Sequence, residues 1–304
     1  MHTSRQLAEL YAQGENISAI LRGDGEGNRE ANIETAYDLQ TGSYIATMER
    51  AAVVRDKAEY TAEIAGWISD LCDPRHILEA GVGEATTLSG VVEHLGRAAL
   101  ETYGFDLSWS RIAFARRWLA RQQVHGVKLC TGSLFHIPFA SNSIDVVYTS
   151  HSIEPNGGNE DPILRELHRV AREYLILFEP GYELAGAEAR ARMKSHGYCE
   201  NLKGVSESLG FDVLKHEILS QYGSALNPTA VTVIRKGVDQ DRPEHVLACP
   251  RHKTPLVELG GMLYSPEALS VYPVLDDIAC LRIENGIAAS KYPEIVAGQA
   301  RTAL

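Results

Sequence analysis

The sequence predicts an α/β fold built on a doubly wound, mostly parallel sheet, with a helical N-terminal extension and a small β-rich C-terminal module. Three observations carry this expectation. A short apolar run, His76 to Ala80, contains the acidic Glu79 and opens into Gly81-Val82-Gly83 and then a helical pattern. From there to about residue 236, strand-like and helix-like stretches alternate, the arrangement of a parallel sheet covered on both faces. Near Asp239-Gln240-Asp241-Arg242-Pro243 the alternation stops, and short strand-like pieces follow.

The totals bound the class. A chain of 304 residues allows about two domains and a large core. Its 29 Lys plus Arg against 40 Asp plus Glu give a net charge of −11. With no basic run, it lacks the electrostatic footprint of a general nucleic-acid binder. The amino terminus has no basic start followed by an apolar core, and no apolar stretch reaches the length of a membrane span. Cys72, Cys130, Cys199, Cys249 and Cys280 are odd in number and scattered, which suits free thiols in a reducing compartment. The expected location is cytoplasmic, with no membrane partner.

In chain order, Leu7, Leu10, Tyr11, Ile17, Ile20 and Leu21 show weak helical spacing, and Arg22 to Asn28 is a loop rich in glycine and charge. Helical spacing resumes from Arg29 to Leu71. Tyr37 and Tyr44 fall within it, either as core packing or as part of a lid over a ligand. After the glycine turn come a helix over 85–95, a strand from Leu100 to Asp106, a helix from Trp109 to Gln123 and a strand near Val127 to Thr131. A strand from Ile144 to Thr149, a helix from Pro162 to Arg172 and a strand from Tyr174 to Phe178 follow. Helical segments over 184–209 and strands near 211–218 and 230–235 complete the pattern. Ligands of such sheets bind at the carboxyl ends of the strands.

Residue types at those ends suit a nucleoside. Glycine at 81 and 83 lets the backbone turn sharply and approach a ligand closely. Asp106 ends the second strand, where a carboxylate can accept hydrogen bonds from both ribose hydroxyls; it could instead cap the helix that follows Asp106-Leu107-Ser108. Ser133 and Leu134 could serve the edge and face of a purine, and the loop Ser150 to Gly158 is crowded with polar side chains.

Four ordered segments, namely Glu79 to Gly83, Asp106, Gly132 to Phe139 and Ser143-Ile144-Asp145-Val146-Val147, resemble class I S-adenosylmethionine-dependent methyltransferases of the small-molecule type over residues 75–236. The resemblance implies a Rossmann-like sheet whose last strand, within Leu226 to Ile234, is reversed. It also implies S-adenosylmethionine as cofactor. Glu79 would lie near the methionine part, Gly81 and Gly83 would give close backbone approach, and Asp106 would hold the ribose. Leu107 would rest against adenine, Ser133 and Leu134 would flank the base, and Ser150 would be a further cofactor-binding residue. Two departures stand out: Ala85 replaces the usual third glycine, and Ser133 replaces the common adenine-contacting Asp. A nicotinamide-dependent oxidoreductase shares the Gly-x-Gly turn and the following acid, but it generally wants glycine at the third position.

Methyl transfer to such a cofactor's acceptor needs in-line placement and exclusion of water, and a base where the acceptor is a hydroxyl or protonated amine. His151 is the first candidate, Glu154 the second and Glu179 the third; His151 could also be a loop histidine satisfied by backbone. Tyr37, Tyr44, Asn156 and Glu179 are candidate acceptor contacts. The expected acceptor is a polar small molecule methylated on O or N in a biosynthetic pathway. A tRNA or protein substrate is the alternative, the oxidoreductase a second one, and a homodimer is left open.

In the tail, Val246 to Leu256 and Val271 to Ala279 resemble the zinc-ribbon-related module that activates some tRNA and protein methyltransferases. Zinc needs four ligands, usually in two short pairs. Cys249 and His252 supply one pair, but Met262-Leu263-Tyr264-Ser265 offers neither cysteine nor histidine, so the expectation is no metal and apolar packing in its place, with a site completed by His245 and Cys280 as the alternative. The predicted division is an N-terminal helical extension or lid over 1–72, a cofactor-binding domain over 73–238 and a degenerate ribbon-like module over 244–304.

Overall fold

The computed structural model describes residues 2–23, 28–221, 224–237 and 241–302; residues 24–27 of the glycine-rich loop and 238–240 of the linker lie outside the described residues. Five helices come first: α1 (Ser4–Ala12), α2 (Ile17–Arg22), α3 (Glu30–Leu39), α4 (Ser43–Thr47) and α5 (Ala51–Leu71). The alternating region follows with β1 (His76–Ala80), α6 (Thr86–Leu95), β2 (Glu101–Asp106), α7 (Trp109–Arg121), β3 (Lys128–Thr131) and β4 (Ile144–Ser150). It closes with α8 (Glu160–Val170), β5 (Ala171–Pro180), α9 (Ala187–Ser195), α10 (Leu202–Ser208), β6 (Asp212–Ile218) and β7 (Thr229–Arg235).

Strands β1 to β5 are parallel, and β7 runs antiparallel between β5 and β6, as the resemblance implied. Both faces of the central strands are buried, and consecutive side chains enter opposite cores. Leu78, Val147 and Leu175 pack with Ile163, Leu164 and Leu167 of α8. Ile77, Val146 and Ile176 pack on the other face with Ile64 and Ile68 of α5, Leu88 of α6 and Trp118 of α7. The helix predicted to reach Arg172 stops at Val170, because Ala171 already pairs with Ile144 and draws the chain into β5.

The tail contains β8 (Val257–Leu259), β9 (Met262–Ser265), β10 (Ser270–Tyr272), β11 (Val274–Leu275), β12 (Ile278–Cys280), β13 (Ile287–Ala288) and α11 (Tyr292–Thr302). Strands β8, β9, β10 and β13 form a small antiparallel sheet, while β12 pairs in parallel with β3 and β11 pairs with β12. The main sheet therefore gains two strands from the tail. Cys249 is fully buried, with its thiol 3.6 Å from the Tyr272 hydroxyl. Among the described residues, no three His, Cys, Asp or Glu side chains gather as metal ligands, and no helix is long and apolar enough to cross a membrane.

Helix α5 approaches α6 closely because Gly90 has no side chain. A Cβ there would lie 2.5 Å from Thr61 Oγ1 and 2.9 Å from Thr61 Cβ. Gly90→Ala should therefore cost about 1–3 kcal/mol through overpacking, lowering the urea midpoint at an unchanged slope. An unchanged midpoint would contradict this packing.

Candidate active site

A cavity of about 750 Å³ opens at the carboxyl edge of the parallel strands. Among the residues singled out from sequence, Glu79, Gly81, Gly83, Asp106, Leu107, Leu134, Ser150, His151, Glu154, Asn156, Tyr37 and Tyr44 all line it. Ser133 and Glu179 do not, and each has a local reason. Ser133 Oγ bonds Glu30 of α3 and also accepts the Phe135 N–H at 3.0 Å, leaving Leu134 and Phe135 to face the cavity. Glu179 stands behind the β4 loop, as shown below.

The floor is the turn after β1. Gly81 has φ 76°, and a Cβ on it would lie 2.2 Å from Ser152 Cβ, so the β4 loop occupies the space that only glycine leaves free. The N–H groups of Gly81 and Val82 both donate to Phe105 O at 2.9 Å, fixing the turn against β2. Asp106 accepts the Gly83 N–H at 3.0 Å on one oxygen and the Ser108 N–H at 3.0 Å on the other. Burial raises its pKa, opposed by the Arg111 charge and these N–H groups. Ala85, standing where a third glycine is usual, is fully buried at φ 58°. That left-handed conformation costs an alanine about 1–2 kcal/mol.

The N-terminal helices form the roof. Glu84 accepts the N–H groups of Gly42 at 2.9 Å and Ile45 at 2.8 Å, tying the start of α4 to the glycine turn. Asp38 accepts the Ser108 hydroxyl at 2.6 Å, and Arg111 Nε donates to Tyr37 O at 2.9 Å. The Arg111 guanidinium lies 4.8 Å from the ring centroids of both Tyr37 and Tyr44. Helix α3 thus presents Glu30 to Ser133, Glu34 to Arg282 of the tail and Asp38 to Ser108, three acids on one face at a spacing of four. Sequence reading missed Glu84, Arg111, Lys57 and Tyr60 as cavity residues. The i, i+4, i+8 acids of α3 were visible but were not connected to partners distant in sequence.

The β4 loop carries the candidate base and its partners. His151 has φ 56°, and its N–H donates to Phe178 O at 3.0 Å. Its Nδ1 bonds the Glu154 carboxylate, and its Nε2 lies 2.8 Å from Thr229 Oγ1. With Nδ1–H donating to the Glu154 carboxylate, Nε2 is the basic nitrogen and accepts the Thr229 hydroxyl. Burial works against a charged His151, but the Glu154 hydrogen bond and charge, joined by Glu179, outweigh it and raise its pKa. Burial likewise works against a charged Glu154, and bonds from His151, Tyr198 and Asn227 outweigh it and hold its pKa down. Glu179 accepts the N–H groups of Ser152 at 3.0 Å, Ile153 at 3.1 Å and Glu154 at 3.0 Å. Burial pushes it up to about 7, against the His151 charge and those donors. Its carboxylate is spent on shaping the loop rather than on the cavity surface.

Among the described residues, two buried polar atoms of the cavity lining have no partner: Arg111 Nη2, a donor, and Asn227 Oδ1, an acceptor. Unmet buried groups of this kind suit a polar ligand that completes them. A nucleoside cofactor fits the cavity's residues, with Asp106 for its ribose, Leu107 and Leu134 for its base and the glycine turn beneath it.

Residues 78–177 match the family model described as a methyltransferase domain. No curated protein matches the chain in sequence. Among solved structures, a protein from Nostoc punctiforme assigned as an O-methyltransferase is 15% identical with a TM-score of 0.55, covering 75% of this chain and 69% of that one. Magnesium protoporphyrin IX methyltransferase from Synechocystis with S-adenosylhomocysteine bound is 13% identical with a TM-score of 0.48, covering 77% and 100%. A methyltransferase from Aquifex aeolicus is 17% identical with a TM-score of 0.42, covering 53% and 81%. At such identities the likeness concerns the fold. The matched segment holds the glycine turn, Asp106 and the whole of β4.

An imidazole raised by Glu154 should titrate above the ordinary value of about 6.5, and Glu154→Gln should move it down; NMR titration of the ring reads both. The sign for stability follows. A histidine whose folded pKa is raised contributes stability that is full below its unfolded pKa and is lost as pH rises through the folded one. Glu154→Gln should flatten that loss. An unshifted titration would contradict the pairing.

Proposed function

We propose that this methyltransferase moves the methyl group of S-adenosylmethionine onto a hydroxyl or amine nitrogen of a polar small molecule, with His151 as the base. The observation that carries the reading is the His151–Glu154 pair on the same cavity as Asp106 and the glycine turn. The cofactor supplies an activated methyl on a sulfonium leaving group. The chain supplies placement, exclusion of water by the roof, and a destination for the acceptor's proton.

In this reading Asp106 holds the ribose, Gly81 and Gly83 admit the ligand against the backbone, and Leu107, Leu134 and Phe135 enclose the base. Ser133 supports that wall through Glu30, and Ser150 closes the cofactor side through its bond to the Tyr60 hydroxyl at 2.9 Å. At the acceptor end, Asn227 Oδ1 takes the hydrogen bond of the reacting O–H or N–H. The proton then passes to His151 Nε2, directly or through the Thr229 hydroxyl that already bonds it. Glu154 stabilises the resulting imidazolium without itself being protonated. Tyr37 and Tyr44 cover the reacting groups, while Asn156 donates to Ser152 O at 3.2 Å and keeps the loop closed.

A cavity of about 750 Å³ supports a small acceptor over a tRNA or protein. The reversed β7 and the alanine at position 85 argue against the dinucleotide reading, whose classical sheet has the order 3-2-1-4-5-6. We assign residues 1–72 to an N-terminal helical extension whose α3 and α4 form the roof and whose α5 packs on the sheet, 73–238 to the catalytic domain and 244–304 to a ribbon-related module without its metal. Through Arg282 and Glu34, that module braces the roof.

S-adenosylmethionine should raise the melting temperature of the protein, and NAD should leave it unchanged; the opposite pattern overturns the proposal. Asp106→Ala should abolish the shift. His151→Ala should keep it and slow turnover by about 10²–10⁴-fold, the usual worth of a positioned base, and full activity in that variant would dismiss His151.

A further inference from the structure

Two arginines beside the β4 loop have no use in the transfer just described. Arg22 ends α2, and Arg192 lies in the last turn of α9, which closes on His196. The turn after α9 packs against one lip of the cavity. There the Gly157 N–H donates to Gly197 O at 3.1 Å and the Cys199 N–H to Glu154 O at 2.9 Å, while Asn28 Nδ2 donates to Pro155 O at 2.9 Å and His196 O at 3.4 Å. A Cβ on Gly157 would lie 2.4 Å from Tyr198 O, so the two segments meet because residue 157 is glycine. Pro155 and Asn156, on one of these segments, line the cavity.

Arg22, Arg192 and His196 gather on the other segment. A Cβ on Gly197 would lie 3.7 Å from Arg22 Nη1, the Arg192 guanidinium stands 6.0 Å from the Tyr198 ring centroid, and the His196 ring stacks on that tyrosine at 5.3 Å. Burial and the charges of Arg192 and Arg22 lower the His196 pKa, opposed by Glu154. Tyr198 links the cluster to the candidate base: burial and Glu154 raise its pKa, opposed by Arg192. Neighbouring cations are spent, since Arg190 donates to Tyr182 O at 3.0 Å and Glu183 O at 2.8 Å, and Lys203 pairs with Glu207. Among the described residues neither Arg22 nor Arg192 forms an ion pair, and Arg192 Nη1 is buried without a partner.

Like charges gathered around an unmet buried donor are costly until an anion joins them. The acids of the cavity do not supply one. Glu154 is bound to His151, and the acids of α3 face Ser133, Arg282 and Ser108. In the sheet order β3-β2-β1-β4, those partners lie at the β2–β3 end, across the glycine turn from the β4 loop. The cavity is therefore acidic at the end read for a cationic cofactor and flanked by cations beside the candidate base.

We propose that the methyl acceptor carries an anionic group, a carboxylate or a phosphate, that docks on Arg22, Arg192 and His196 while its hydroxyl or amine reaches His151. The cluster then selects acidic acceptors over neutral ones and fixes which end of the molecule meets the base. This deepens the methyltransferase reading above and rests on it.

The test uses the full chain saturated with S-adenosylhomocysteine, titrated separately with sodium phosphate and sodium acetate at constant ionic strength set by chloride, while NMR follows the His196 ring. At least one anion should shift its resonances saturably and raise its pKa, as a neighbouring negative charge favours the imidazolium. A stronger response to phosphate identifies a phosphorylated acceptor, and a stronger response to acetate a carboxylic acid. Arg22→Met and Arg192→Met should each weaken the bound anion by about tenfold or more while leaving S-adenosylhomocysteine within about twofold, which also shows that the variants are folded. Arg192→Lys should lose less than Arg192→Met. Shifts that never saturate, anion binding unchanged in both methionine variants, or an anion that displaces S-adenosylhomocysteine overturns the proposal and leaves the methyltransferase reading standing. If the wild type does not bind S-adenosylhomocysteine, that reading fails, and this proposal with it.

Discussion

The site depends on the close approach of two loops, the turn at Gly81 and the segment after β4. Ser152 Cβ fills the volume that any side chain at 81 would need, and Ser152 Oγ donates to Ala80 O at 2.7 Å. This contact brings the ends of β1 and β2, with Gly83 and Asp106, within one cavity of the His151–Glu154 pair. From behind, Glu179 grips three successive N–H groups of the same segment. The left-handed backbone at His151 persists because the loop is held on both sides.

Above that floor the roof is fastened mainly by polar end groups. Glu84 binds the head of α4, Asp38 and Glu30 reach serines at the ends of β2 and β3, and Glu34 reaches the tail. Such contacts fix register, and Ile45 and Met48 add apolar packing against one core of the sheet domain. The excess of acidic residues thus has a local use at the cavity rim. Arg111 and Lys57 line the same cavity as Asp106 and Glu79, and His151 bonds Glu154.

Much of the fold was legible because consecutive strand residues enter two different cores, leaving near-continuous apolar runs between helical stretches. The glycine turn and Asp106 were legible because local chain geometry demands them. The attachment of β12 to β3 was not, since a three-residue strand carries no register signal until its partner edge is in place. Lys57 and Arg111 were hidden for a related reason: each lies on a helix whose role at the cavity is fixed by packing with elements distant in sequence. Ser133 was readable as a residue type, but its bond to Glu30 spans 103 positions. Glu179 looked like a cavity acid because it ends β5; only the fold shows three N–H groups of the neighbouring loop converging on it.

A structure of the protein with S-adenosylhomocysteine bound tests the central claim most directly. The account predicts ribose hydroxyls on the Asp106 carboxylate, the base against Leu107 and Leu134, and the sulfur facing His151 beneath Tyr37 and Tyr44. A ligand bound away from Asp106, or with its sulfur turned from the His151 side of the cavity, would contradict it.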